Sequence, residues 1–462
     1  MRDLAAKPSS DPPTRRTDLP PNPPAPILHT SPPPPMRHLS SLGCALALIP
    51  VAAFSQQKPA NYDESAIPPY SLPELLKSDS GNPVTTAQEW TALRRPQVLA
   101  LFQKHVFGKT PANWGKVVYE TLSVKTDALD GKAIRKIVRI SLADYPHWPG
   151  LELMLHLPKN TQKPVPCFVG TSFGGNEAVT PDTDIPLSAR WMRPGKENGV
   201  VDNRSTEKSR GTEKDRWQLA LAVSEGFAVA TYYCGDVEPD HAEGWKTGLR
   251  GFLSKDGAGT EWKEGDWGAI GAWAWGLSRI ADFLTTEAGV DAKKLAVVGH
   301  SRLGKTSLWA GAQDPRFGVV ISNNSGEGGA AIMRRNIGET TAVITKAFPH
   351  WFTKTYSNYS HNEAACPVDS HMLVALAAPR SVYIASAEED RWADPKGEFL
   401  AGLHAQPVFT LFGKKGYGVN EQPAPNAPTG DTIRYHIRTG KHDITRYDWE
   451  QYLPFARLQF GS

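Results

Sequence analysis

Ser301, Asp390 and His442 are the residues of this chain whose types, taken together, do chemistry. A serine hydroxyl is a poor nucleophile at neutral pH. It becomes a good one when an imidazole takes its proton, and a carboxylate on the other ring nitrogen fixes the tautomer and stabilises the imidazolium. That set performs acyl transfer: attack on an ester carbonyl, release of the alcohol, then hydrolysis of the acyl-enzyme. Taken singly, each residue is ordinary: a Ser in a turn, an acid in a loop, one of 13 histidines. What makes them a set is that each follows a strand pattern.

The serine follows Leu295-Ala296-Val297-Val298-Gly299-His300. After it come Arg302-Leu303-Gly304-Lys305-Thr306 and a helical pattern. This reads as strand, tight turn, helix, the nucleophile elbow that lifts a serine above a sheet edge. The match to G-x-S-x-G is imperfect, because Gly299 sits at −2 while the following glycine is Gly304, at +3. Asp390 follows the strand pattern Ser381 to Ser386, and His442 follows Ile433 to Arg438. Ligands of open α/β sheets bind outside the carboxyl ends of the strands. The order Ser, Asp, His is that of α/β-hydrolases. Two places are expected to supply the oxyanion site: the backbone N–H of Arg302, and the loop Phe173 to Asn176. The Arg302 guanidinium adds a fixed positive charge beside the nucleophile, unless it is simply an exposed arginine on the elbow helix.

The elements that must position these residues can be read in order. Thr86 to His105 has helical spacing. Strand patterns begin at Val117, span Ala133 to Ile140 and Leu151 to Leu157, and read as antiparallel. Further strands are expected at Pro164 to Gly170, Phe227 to Tyr233, Leu295 to Val298, Val319 to Ser322, Ser381 to Ser386 and Ile433 to Arg438. Helices are expected at Arg216 to Glu225, Trp267 to Thr286, after Ser301, at Met372 to Ala378 and from Pro407. Residues 176–215 are polar, and a connection of that length is usually a lid or a binding insert. Residues 237–266 read as irregular. The expectation is an α/β-hydrolase fold in a single domain, residues 56–462, with a mostly parallel central sheet and helices on both faces. Residues 56–95 read as an arm laid over it.

Residues 1–35 hold 12 of the 39 prolines and no apolar periodicity, so a disordered leader is expected there. At Met36 the pattern changes to Arg37, His38, an apolar run Leu42 to Ala53, and Ala53-Phe54-Ser55. Residues 36–55 therefore read as a signal peptide, Met36 as the start of translation, and the product as secreted or periplasmic. Across 462 residues the net charge is only +3, which gives no footprint for nucleic acid or an anionic membrane. After the signal, Cys167, Cys234 and Cys366 make no disulfide framework. Cys and His show no metal-ligand spacing, and neither a metal nor an organic cofactor is expected.

The segment Gly299-His300-Ser301-Arg302-Leu303-Gly304-Lys305 resembles the Gly-Cys-Ser-Arg-x-Gly-Lys signature of glucuronoyl esterases, carbohydrate esterase family 15. Ser325-Gly326-x-Gly328-Gly329, Phe348-Pro349-x-Trp351-Phe352 and Asp448-Trp449 extend the resemblance. It implies a hydrolase of esters between 4-O-methyl-glucuronic acid on xylan and lignin alcohols. It also implies that Lys305 binds sugar hydroxyls, that Arg302 supports the oxyanion, and that Glu339 and Trp392 contact the sugar. Two departures stand out. Many members carry a catalytic Glu where this chain has Asn324, which leaves the acid role to Asp390 rather than to Glu327. Fungal members, as the resemblance implies, bridge a Cys before the nucleophile to a Cys after the histidine. Here those positions are His300 and Asp443, and two readings stay open: a hydrogen bond between them as a substitute strut, or two solvated side chains with the loop held by packing. Open alternatives are an acetyl xylan esterase of the same fold and a non-catalytic glycan-binding protein. The expected partner is a glucuronoxylan or lignin–carbohydrate ester, met by a monomer.

Overall fold

Runs of β-branched and aromatic residues become strands of one sheet, and small or polar breaks between them become the turns that carry chemistry. The computed structural model describes residues 60–253 and 262–461. The expected leader, 1–35, and signal segment, 36–55, lie outside the described residues, as do residues 56–59 of the expected domain. The strands are β1 (Val117–Asp127), β2 (Ala133–Leu142), β3 (Leu151–Pro158), β4 (Val165–Ser172), β5 (Ala228–Tyr233), β6 (Val290–His300), β7 (Phe317–Asn323), β8 (Ser381–Ala387), β9 (Thr429–Gly430) and β10 (Ile433–Arg438). Their order across the sheet is β1-β2-β3-β5-β4-β6-β7-β8-β10-β9. Every pair from β5 to β10 is parallel, while the β1-β2-β3-β5 side and the short β9 are antiparallel. Every strand read from the sequence is present, and the two-residue β9 is the addition.

Alternation along the strands sends residues to two cores, one on each face. In β6, Leu295 and Val297 join the core that holds the buried helix α1 (Ala269–Leu284), the elbow helix α2 (Arg302–Gln313) and α3 (Pro395–Leu411). Ala296 and Val298 point the other way, against Trp449, Tyr452 and Leu453 of the last helix, α4 (Arg446–Phe460). Both faces of β6 are thus covered, which holds its carboxyl end rigidly in place. Cys167, Cys234 and Cys366 are buried free thiols. Among the described residues no helix is long and apolar enough to cross a membrane.

Three helical expectations are corrected. Pro407 does not begin a helix but lies inside α3, which starts at Pro395. Asp394 caps that start by accepting from Gly397 N at 2.9 Å, and proline at the first helical position costs no hydrogen bond. The helix expected at Arg216 to Glu225 is broken, because Gln218 takes left-handed dihedrals (φ 44°, ψ 40°) between Lys214–Trp217 and Leu219–Ser224. Within 237–266, Leu249–Leu253 is helical rather than irregular.

Candidate active site

Strand β6 hands the chain to α2 through Ser301 alone. Its backbone sits at φ 58° and ψ −129°, a sparsely populated region for a residue with a side chain. The amide of Ser301 donates to Asn323 O of β7 at 2.9 Å, and its carbonyl accepts from Gly304 N at 2.9 Å. A Cβ on Gly299 would lie 1.9 Å from Leu303 O. The turn therefore closes only with glycine at 299. At Gly304 a Cβ would meet Asn323 O and Gly299 O at 3.1 Å, so the second close approach falls at +3. That explains the imperfect sequence motif.

His442 lies in the loop after β10, and its side chain is 42% exposed. His442 Nδ1 is 2.6 Å from Asp390 Oδ2, the acid being buried beyond the end of β8. With Nδ1–H donating there, Nε2 is the ring's free acceptor. Asn324 Nδ2 donates to the same Asp390 oxygen at 2.8 Å, so the expected acid and the residue at the alternative acid position adjoin. Glu327 accepts instead from Thr341 Oγ1 at 2.6 Å and Tyr356 OH at 2.7 Å, and burial pushes its carboxyl up to about 8. Ser301, His442, Arg302 and Phe173 line one cleft. Residues of the 176–215 insert, including Met192, Arg193 and Asn198, form part of its wall.

Arg302 is not a loose surface arginine. Its guanidinium lies over the Phe173 ring at 4.4 Å and near that of Trp351 at 5.9 Å. Its Nε is 3.0 Å from Asp240 Oδ2, as an ion pair rather than an aligned hydrogen bond. The other Asp240 oxygen faces His350 Nε2 at 2.8 Å and Trp351 Nε1 at 2.7 Å. Burial of Asp240 opposes ionisation, but Arg302, His350, Arg193 and Trp351 outweigh it and hold the carboxyl well below its ordinary value. The result is a fixed cation beside Ser301, with the Arg302 amide in the first turn of α2, where helix N–H groups lack intrahelical partners.

The oxyanion expectation at Phe173 is corrected. Its amide donates to Glu213 Oε2 at 3.2 Å. Glu213 is buried, and burial raises its pKa against the pull of Arg216 and of the Phe173 and Gly174 amides. What Phe173 brings to the cleft is the ring that supports Arg302.

The expected sugar-binding residues stand on the Asp390 side. Glu339 N donates to Trp392 O at 2.9 Å. Burial raises the Glu339 pKa, and Lys305 is the main charge opposing that rise. Trp392 remains 42% exposed, so its ring is not part of the core. Lys305 is buried; one ammonium proton goes to Ser325 O at 2.5 Å. Burial lowers its pKa, while Glu339, Glu327, Glu398 and Asp390 raise it.

The strut between His300 and Asp443 is corrected as well, since no hydrogen bond joins them. His300 is buried, with Nδ1 2.7 Å from Asn323 Oδ1 and its ring 4.5 Å from the His442 ring. Asp443 accepts from Arg216 Nε at 2.7 Å. What holds the histidine loop is Arg438. Its Nη1 donates to Thr439 O at 3.0 Å, and its Nη2 to Lys441 O at 2.9 Å and Asp443 O at 2.5 Å. Arg438 Nε donates to Asp448 Oδ2 at 2.9 Å, and Asp448 is fully buried. Asp448 also accepts from His436 Nε2 at 2.9 Å, Asn323 Nδ2 at 3.1 Å and Thr445 N at 2.6 Å. One carboxylate thus ties β7, β10, α4 and the histidine loop together.

Removing one partner of such a buried pair leaves the other charge uncompensated. Asp448→Ala is expected to lower stability by about 3–5 kcal/mol, read in urea denaturation. It should also lower kcat more than it raises KM, and an unchanged unfolding midpoint would refute the hub.

A family model described as "Glucuronyl esterase, fungi" matches residues 257–413. The curated carbohydrate esterase MZ0003, from an unknown prokaryotic organism, is 44% identical over 87% of this chain and 93% of its own length. A solved glucuronoyl esterase from Solibacter usitatus is 51% identical, with a TM-score of 0.81 over 86% of this chain and 100% of that one. The 4-O-methyl-glucuronoyl methylesterase 1 of Phanerochaete chrysosporium is 33% identical over 43% of this chain and 44% of its own length.

Proposed function

The chain belongs to carbohydrate esterase family 15, the glucuronoyl esterases, and is a carboxylic-ester hydrolase of the α/β-hydrolase fold; on that premise we propose that it cleaves esters of 4-O-methyl-glucuronic acid with lignin alcohols on glucuronoxylan, using Ser301, His442 and Asp390. The observation that carries the reading is the 2.6 Å contact of His442 Nδ1 with Asp390, in a loop that shares its cleft with Ser301. Ser301 Oγ attacks the ester carbonyl while His442 Nε2 takes its proton. The carbonyl oxygen becomes an oxyanion beside the Arg302 amide and guanidinium. Collapse of the tetrahedral intermediate breaks the ester C–O bond, and His442 returns the proton to the leaving alcohol. Water, deprotonated by His442, then repeats the sequence on the acyl-enzyme. Asp390 keeps the imidazole in its working tautomer and offsets its positive charge.

Glu339, Lys305 and Trp392 hold the sugar: an acceptor and a donor for ring hydroxyls, and a flat exposed face for the ring. Glu339→Gln and Trp392→Ala are each expected to lower kcat/KM on benzyl glucuronate by about 10–100-fold, the worth of one hydrogen bond to a charged group for Glu339 and of the apolar cover of one sugar face for Trp392. Hydrolysis of 4-nitrophenyl acetate should change by less than about threefold. Equal losses on both esters would remove the sugar-holding role.

We also read residues 36–55 as a signal for export, and the mature enzyme as a monomer acting outside the cytoplasm. The test of substrate class is the wild-type kcat/KM on benzyl glucuronate against an acetylated xylo-oligosaccharide. The proposal expects a preference for the glucuronate ester, and the reverse preference would make the protein an acetyl esterase.

A further inference from the structure

Residues 60–67 do not trail away from the domain but are bound into the wall beside Glu339 and Trp392. Gly338 N donates to Asn61 O at 2.8 Å. The Arg391 guanidinium donates to Tyr62 O and lies over the Tyr62 ring, 5.0 Å from its centroid. Asp63 caps the turn that follows, accepting from Ser65 N at 2.9 Å, and Glu64 pairs with Arg335, which Asp394 holds at 2.7 Å. Gly338 sits at φ +62°, and a Cβ there would lie 2.4 Å from Trp392 O, so the segment before Glu339 passes close between the arm and Trp392. Tyr62 is 39% exposed and Trp392 42% exposed. Two exposed aromatic residues thus stand on neighbouring segments, at fixed positions, on either side of the chain that carries Glu339.

We propose that Tyr62, with Arg391, forms a second carbohydrate subsite next to the glucuronate site, which takes a neutral pyranose of the polysaccharide chain that bears the glucuronate. The proposal rests on the sugar-holding role given to Glu339 and Trp392. A glucuronate held by its hydroxyls and its carboxyl carbon has its anomeric oxygen left to carry the polysaccharide. The arm packs against the segment that carries Glu339, Gly338 N donating to Asn61 O, so in this proposal the polysaccharide leaves over the arm. A pyranose has an apolar C–H face that covers aromatic surface, and polar edges that accept from a guanidinium. Tyr62 and Arg391 offer both groups. Because the backbone at Asn61 and Tyr62 is already tied down, little ordering cost is left to binding.

The test compares wild type, Tyr62→Ala and Tyr62→Trp on two esters, benzyl glucuronate and a benzyl ester of a glucuronoxylo-oligosaccharide. Their retardation in native gels containing soluble xylan is measured in parallel. Tyr62→Ala is expected to lower kcat/KM on the oligosaccharide ester at least fivefold, through KM. On benzyl glucuronate it should stay within twofold of wild type. Tyr62→Trp should keep both activities, and retardation by xylan should weaken in the Ala variant only. Equal loss on both esters, or no loss on either with unchanged retardation, overturns the subsite. If wild type cleaves neither glucuronate ester, the functional reading falls. Tyr62-dependent retardation by xylan would then uphold the subsite on its own, and its absence would remove both.

Discussion

Ser301→Ala is expected to abolish turnover, lowering kcat by about 10⁴–10⁶-fold while the thermal unfolding midpoint stays within a few degrees of wild type. The loss is large because, in the mechanism proposed, the hydroxyl oxygen is the atom that forms the acyl-enzyme. Stability is spared because Ser301 is held by its backbone: its amide on Asn323 O, and its carbonyl on Gly304 N and Lys305 N at 2.9 and 3.2 Å. None of these bonds involves the side chain, and alanine is no more strained than serine at φ 58°. Rates on benzyl glucuronate and melting curves of the same preparation check both halves. Turnover near wild type in a folded variant would remove Ser301 as nucleophile.

Asp390→Asn is expected to lower kcat by about 10³–10⁴-fold. Two donors, His442 Nδ1 and Asn324 Nδ2, converge on one oxygen of Asp390, at 2.6 and 2.8 Å. An asparagine there has lost the charge that offsets the imidazolium. If its amide nitrogen faces His442, the imidazole is also driven into the wrong tautomer. Since Asn324 lies against the same oxygen, Asn324→Glu brings a carboxylate to the neighbourhood of His442. In the Asp390→Asn background it is expected to recover about tenfold or more of the loss. Asp390→Asn with most activity intact would place the triad acid elsewhere.

Much of this architecture was legible in the sequence. Strands β1 to β8 and β10 announce themselves by β-branched and aromatic runs, and the three chemical residues follow β6, β8 and β10. The missing glycine at +2 did not hide the elbow, because His300-Ser301-Arg302 still follows Gly299 at the strand's end. What could not be read were contacts between distant segments. Asp240 lies in a stretch with no periodicity, and its partners Arg302, His350 and Trp351 are 62 to 111 residues away. Arg438 is the last residue of a strand pattern that gives no sign of its buried partners, and it is 4% exposed. The Phe173 amide faced Glu213 rather than the cleft because an acid 40 residues on folds back beneath it. The pairing of His300 with Asp443 failed for the same kind of reason: Asn323 and Arg216 were nearer partners. Pro407 misled because proline is a stronger signal for a helix start than for a helix interior, and the true start was marked by Asp394 and Pro395.

The Arg438–Asp448 pair that holds the histidine loop gives the enzyme an ionic latch where a covalent one would need an oxidant to form. The loop can therefore assemble in a reducing cytosol as readily as outside the cell, and a thiol reductant has no bond there to cut. The dependence moves from electrons to protons. Burial works against ionising Asp448, but hydrogen bonds and charges from His436 and Arg438 prevail, so it titrates below the ordinary 3.8. A carboxyl whose folded pKa is depressed contributes stability that is complete above its unfolded pKa and is lost as pH falls through the folded one. The latch stays shut through neutral and mildly acid media and starts to open only below about pH 4.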